Sequence, residues 1–175
     1  MVKKKKIEKF NKKLKIVAKF LLIFNLLAVP LYAAIYTGFF FYPLQVSTAF
    51  FGHSFLSAFG YQTVLDGNKI IVTGENLRQE FDISWDSTGW KSMYALVALA
   101  IASPVKGKKL KFLAVSLPAI FAINILRVAT TIALSVNYGW EYFEIVHTVL
   151  WREGMIAAVV AIWALWFVKQ KYNIG

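Results

Sequence analysis

Apolar and polar residues alternate along this chain in long blocks rather than short periods. Residues 1–19 are basic and polar, and Phe20 to about Tyr42 is a nearly continuous apolar run. About 20 apolar residues cross a bilayer, so the run predicts a first membrane helix. Pro30 should kink it, because proline lacks a backbone donor and clashes with the preceding turn. After Pro43, residues 44–60 mix small, aromatic and polar types around His53, the mark of an interfacial or re-entrant segment. Thr63 to Val72 flanks an Asp66-Gly67-Asn68 turn and predicts a hairpin of two short strands. Phe81-Asp82-Ile83-Ser84-Trp85 alternates and is a candidate third strand.

Met93 to about Ser103 is apolar but short, with Pro104 beyond it. It crosses only if its helix starts near Ser87 or Thr88, which puts Ser87 at or beside a helix N-terminus. Phe112 to about Val136 is a third span, interrupted by Pro118, Asn124 and Arg127, and a fourth runs from near His147 to Phe167. The pattern predicts an all-α membrane protein of about four helices, with a small β element between the first and second. Residues 1–175 form one membrane domain, with a basic tail over 1–19 and an insert over 44–86.

Composition sharpens this picture. The chain is 58% hydrophobic, above the ~45–50% of soluble domains. The net charge of +11 could point to nucleic acid, but its distribution points to a membrane surface. The segment 1–19, the loop 106–111 and the C-terminus hold 15 of the 20 basic residues and one of the nine acids. With four spans these three segments share a side, which the positive-inside rule makes cytoplasmic. The N-terminal run is too long for a signal-peptide core and no clean cleavage site follows, so it reads as retained. Trp85, Trp90, Trp140 and Trp151 cluster near the outer boundary and Trp163 and Trp166 near the inner one, as interfacial belts do. There is no cysteine, so neither a disulfide nor a thiolate metal site can form.

Three places carry ionisable or reactive groups that a membrane segment has little reason to hold. Ser87 lies in Trp85-Asp86-Ser87-Thr88-Gly89-Trp90-Lys91-Ser92, a polar turn opening a helix whose unpaired N–H groups could hold an oxyanion; Asp86, Ser87 and Thr88 are equally good N-caps. Arg127 sits about ten residues inside the third span. A cation there costs about 2.5–3.5 kcal/mol on insertion scales and marks a functional site by default, against a structural pair with Asp82 or Asp86. His147 lies at the outer end of the fourth span, and imidazole, which in general titrates near neutrality, suits general acid–base work. Lys91 could meet a lipid phosphate or a carboxylate, or simply snorkel. Arg152 and Glu153 form a local ion pair near His147. A metal site from His53, His147 and Glu153 has no ligand spacing behind it, and no cofactor is implied.

The order Ser87-Thr88-Gly89, then Asn124-Ile125-Leu126-Arg127, then His147 resembles the exosortase/archaeosortase family of membrane transpeptidases. That family carries a Cys-x-Gly motif, an Asn-x-x-Arg motif and a later His or Arg, all facing outside. The resemblance covers about residues 80–155. It implies a multi-pass cell-membrane enzyme with an outward site, Ser87, Arg127 and His147 as catalytic positions, and Asp86, Gly89, Lys91 and Asn124 about the substrate. Its partners would be surface proteins with a C-terminal sorting signal (a short motif, a transmembrane helix and a basic tail), with a membrane lipid, another amine or water as acyl acceptor. Serine stands at position 87 where the family has cysteine, an engineered or a natural replacement, and serine is a far poorer nucleophile without an activating base. Two other classes fit less well. A serine intramembrane protease would pair Ser87 with His147, but has six or more spans and a Gly-x-Ser motif where this chain has Trp85. A non-catalytic assembly or binding protein would use the outer turn to hold a partner.

Overall fold

The computed structural model describes residues 2–74, 77–105, 109–139 and 151–172. Helix α1 (Val2–Tyr36) is followed by α2 (Tyr42–Ala58), strands β1 (Gln62–Asp66), β2 (Lys69–Gly74) and β3 (Leu77–Asp82), and a 3-10 turn (Trp85–Thr88). Helices α3 (Trp90–Ala102), α4 (Lys109–Tyr138) and α5 (Trp151–Tyr172) complete it. Lys5–Tyr36, Lys109–Tyr138 and Glu153–Gln170 are long and apolar enough to cross a membrane, whereas α3 is a shorter apolar helix. Its 13 residues rise about 20 Å at ~1.5 Å each, less than the ~30 Å hydrocarbon core.

The first helix differs from the apolar block that predicted it at both ends. The basic segment is helical and continuous with the span, and α1 stops at Tyr36 rather than near Tyr42. Gly38 causes the stop. It adopts φ 66°, and Phe39 N–H donates to Ala34 O while Gly38 N–H donates to Ile35 O, the paired bonds of a Schellman cap. Pro43 then sits in the first turn of α2, where its missing donor costs nothing. Gly60 ends α2 in the same way, with Tyr61 N–H reaching Leu56 O and Gly60 N–H reaching Ser57 O.

Pro30 lies inside α1 and removes the donor that the Leu26 carbonyl would use. One residue on, the Leu27 carbonyl accepts the Tyr94 hydroxyl of α3 at 2.6 Å. Loss of a neutral hydrogen bond of this kind costs about 1 kcal/mol. Tyr94→Phe is therefore expected to lower the thermal midpoint in detergent by about 2–4 °C; an unchanged midpoint would remove this bond from the account of how α1 is held.

The sheet is antiparallel in the order β1-β2-β3. The hairpin forms as expected, with Asp66 opposite Lys69 across Gly67 and Asn68. The third strand is Leu77–Asp82 rather than residues 81–85, pairing Phe81 with Ile70 and Gln79 with Val72. The alternation at 81–85 is real, but Ser84 N–H turns back to Asp82 O and ends the strand.

Two cores meet along α4. Ala49 and Leu56 of α2, Ile70, Val72, Phe81 and Ile83 of the sheet segment, and Val128, Ala129 and Ile132 of α4 form one. Leu96, Ile120, Met155 and Val159 join α3, α4 and α5 in the other. Thr48, Ala49 and Gly52 give α2 a small face; a methyl at Gly52 would already lie 3.0 Å from Ile70 Cδ1. Outward, α1 shows Leu22, Leu26, Val29 and Tyr32, each more than 60% exposed, a surface that only an apolar surrounding satisfies. At the α3 C-terminus Trp163 donates to Ser103 Oγ and Lys109 Nζ to the Ile101 and Ser103 carbonyls. Trp85 and Trp90 lie at its other end.

Candidate active site

Asn124 falls on α4 between the two cores. It has no exposed surface, and a buried amide must find partners for its donors and its acceptor. Its Nδ2 donates to the Ser87 carbonyl at 2.9 Å. Its Oδ1 accepts from Arg127 Nη1 at 3.2 Å, one turn further along the helix. The three residues are thus joined in a line: guanidinium, amide, turn. The first motif and the second, 37 residues apart in sequence, meet here.

The turn itself is tightly fixed. Thr88 is fully buried and its hydroxyl donates to Trp85 O at 2.8 Å; Ser87 N–H donates to Ser84 O. Gly89 follows at φ 75° and caps α3, so the helix starts at Trp90 and cannot run from Ser87 or Thr88. Ser87 lies beside the helix N-terminus, in the turn before it. A Cβ at Gly89 would lie 2.8 Å from Asn124 Cγ, so glycine is required both by backbone and by space. Gly89→Ala is expected to cost about 2–3 kcal/mol, combining left-handed strain with displacement of the amide. Detergent-phase unfolding checks this, and a neutral variant would show that the Gly89–Asn124 contact carries no weight.

Two further amides hold the approach to the turn, and the sequence did not single them out. Gln45 Nε2 of α2 donates to Ile83 O at 3.0 Å. Asn68 Nδ2 of the hairpin donates to Asp82 Oδ1 at 2.7 Å and to Ile83 O at 3.3 Å. The only signal for Gln45 was a lone amide in an apolar stretch. Asn68 was hidden by its role in the turn signal. With Asn124, side chains from three elements hold carbonyls at Ile83 and Ser87, so the turn is positioned from both ends.

Ser87 Oγ lies 3.0 Å from Ser84 Oγ. Asp86 pairs with Lys91 at 2.8 Å across an exposed surface where such pairs contribute little. Trp85 and Trp90 stack at 5.1 Å, and Phe39 meets Trp85 edge-on. Together with the end of α1, Ser84, Trp85, Asp86, Trp90 and Lys91 line a cleft of about 340 Å³. Arg127 is half-buried and eleven residues from the end of α4, about 16 Å at ~1.5 Å per residue. His147, Trp140, Glu141 and Glu144 lie outside the described residues. His53, on α2, meets Thr63 Oγ1 through Nδ1 at 2.7 Å. Among the described residues no group of three His, Asp or Glu side chains could hold a metal.

Hydrogen bonds through Asn124 thus bring Ser87 and Arg127, from the two sequence motifs, into one line. A family profile described as "Transmembrane exosortase" matches residues 11–167. The chain belongs to the transmembrane exosortase family. No curated protein and no solved structure matches it. With its three long apolar helices, this member is a multi-pass membrane protein.

Proposed function

We propose that this exosortase-family chain is built for acyl transfer on C-terminal sorting signals of surface proteins, at the outer face of the cell membrane. The hydrogen-bonded line Arg127–Asn124–Ser87 is the observation that carries the reading. It supports a reading in which a cation and a fixed amide stand behind the acylated position, next to a helix N-terminus. The orientation rests on charge: 15 of 20 basic residues fall at 1–19, 106–111 and the C-terminus, all on one side if α1, α3 with its preceding turn, α4 and α5 each span.

With the family's cysteine at position 87, the thiolate attacks the peptide carbonyl and a tetrahedral oxyanion forms. The first N–H groups of α3, which have no intrahelical acceptor, and Arg127 favour that negative charge. The C–N bond then breaks as the leaving amine takes a proton, with His147 as the donor. The acyl group passes to an amine on a lipid or other acceptor, or to water. Asp86, Gly89 and Lys91 border the acyl site, and Asn124 holds its geometry from behind. Serine at 87 leaves the site assembled and its nucleophile weak, because an alcohol ionises far less readily than a thiol.

A second reading, a non-catalytic membrane assembly protein, draws on the same serine, whose hydroxyl is engaged with Ser84. Membranes holding the protein, its Ser87→Cys variant, and that variant combined with Arg127→Ala or His147→Ala separate the two. Each is incubated with a tagged surface protein ending in an apolar helix and basic residues. The proposal expects product from Ser87→Cys alone. Absence of product from every form, with substrate confirmed in the membrane, would leave the assembly reading.

A further inference from the structure

Three-stranded sheets have two edges, and the two edges here differ. At β1, Thr63 Oγ1 is bonded to Ser57 and His53 of α2, and Tyr61 OH beside it accepts from Asn137 of α4. The other edge is β3, whose pairing among the described residues is with β2 alone. Strand parity follows from one bond. Ile83 N–H donates to Asn68 O, so odd residues of β3 turn their backbone groups to β2, and even ones turn theirs away. Arg78 and Glu80 thus present backbone N–H and C=O groups at an edge that no strand among the described residues pairs. An edge of this kind templates a further strand.

Two other features bear on this edge. β3 runs directly through Ile83 and Ser84 into the Ser87 turn, so a strand laid along it leads to the reactive position. Gln79 Oε1 is also buried with no hydrogen-bond partner among the described residues. It lies on the same face as Phe81, where the side chain of an added strand would lie next to it and could donate to it.

We propose that the outer edge of β3 is the docking strand for the substrate, binding by strand addition the extended segment that precedes the bond to be cleaved. This rests on the acyl-transfer reading above. Main-chain bonds at Arg78 and Glu80 hold the segment with little regard to its sequence, and neighbouring side chains, Gln79 among them, set preference. A substrate chain descending from the outer side into the membrane follows the direction of β3, so the added strand lies parallel to it.

Proline at position 80 tests this, because it removes an outward N–H and leaves the β2 ladder intact. Lys69→Ala, on β2, is the control. Like Glu80→Pro it loses the exposed Lys69–Glu80 pair, which holds the Glu80 carboxyl below its ordinary range and the Lys69 amine above its own, and it leaves β3 unchanged. The probe is the tagged surface protein of the preceding section, in the Ser87→Cys background. Glu80→Pro is expected to lower product formation at subsaturating substrate at least ~10-fold, with Lys69→Ala within ~2-fold. Equal rates in Glu80→Pro and its parent overturn the proposal.

A second measurement needs neither chemistry nor a proline. A photo-cross-linking residue at Arg78 should capture the probe, and one at Val64 on the opposite edge should not. Capture from position 64 as strong as from position 78 overturns the proposal. If the Ser87→Cys parent makes no product at all, the acyl-transfer reading fails, and the cross-linking contrast alone decides the edge.

Discussion

Replacing Asn124 by leucine in the Ser87→Cys variant is expected to slow acyl transfer at least ~100-fold and to cost about 3 kcal/mol of stability. The stability loss has two sources. The Ser87 carbonyl loses its donor inside the protein, and an unsatisfied buried polar group costs about 1–3 kcal/mol. Arg127 Nη1 loses its acceptor on Asn124, and bonds to charged groups are worth about 1.5–3 kcal/mol. The rate effect has a different origin, since a shift of about 1 Å in a reacting group is enough for a ~100-fold loss. Kinetics and unfolding should be read on the same preparation. The loss is expected in kcat rather than KM, because the amide positions the nucleophile's backbone and lies beneath the substrate. A stability loss with unchanged kcat would reduce Asn124 to a packing residue.

The second large effect is gain of turnover on Ser87→Cys, expected at ~100-fold or more over the serine form. The change is nearly isosteric, and Asn124 bonds to the backbone carbonyl rather than to the side chain, so the turn should accept either residue. A thiol beside a helix N-terminus, with a guanidinium one amide away, ionises readily, whereas a serine hydroxyl needs a base. The pH–rate profile should therefore rise to a plateau as the thiolate forms. Arg127→Ala should move that rise to higher pH, because removing a cation disfavours the thiolate. A profile insensitive to Arg127 would separate the guanidinium from the nucleophile.

Much of this arrangement was legible in the sequence where a residue type has a single cause. Apolar blocks longer than ~20 residues gave the long helices, and Asp66-Gly67-Asn68 gave the hairpin. Arg127 stood out because a cation within an apolar helix is costly. The errors came where a short signal competed with a long one. Gly38 ended α1 inside an apolar run, and Gly89 broke the helix that Ser87 was expected to start. The alternation at 81–85 continued past the strand's end, where Ser84 turns back on Asp82.

Long-range placement was the least legible part. Nothing local in Gln45 or Asn68 announces that both reach Ile83 O. The family motifs placed Asn124 in the site, but the sequence did not reveal that it holds Ser87 from behind. That relation needs α4 and the turn side by side, and it rests on a glycine too small to keep them apart.

The most direct test of the central claim is the mass of the protein itself. The Ser87→Cys variant, mixed with the tagged surface protein and quenched in acid, should carry an acyl adduct mapped by fragmentation to position 87. The adduct should be absent from the serine form and strongly reduced with Arg127→Ala. An adduct at another residue, or product formed with position 87 unmodified, would contradict the assignment of this turn as the nucleophile site.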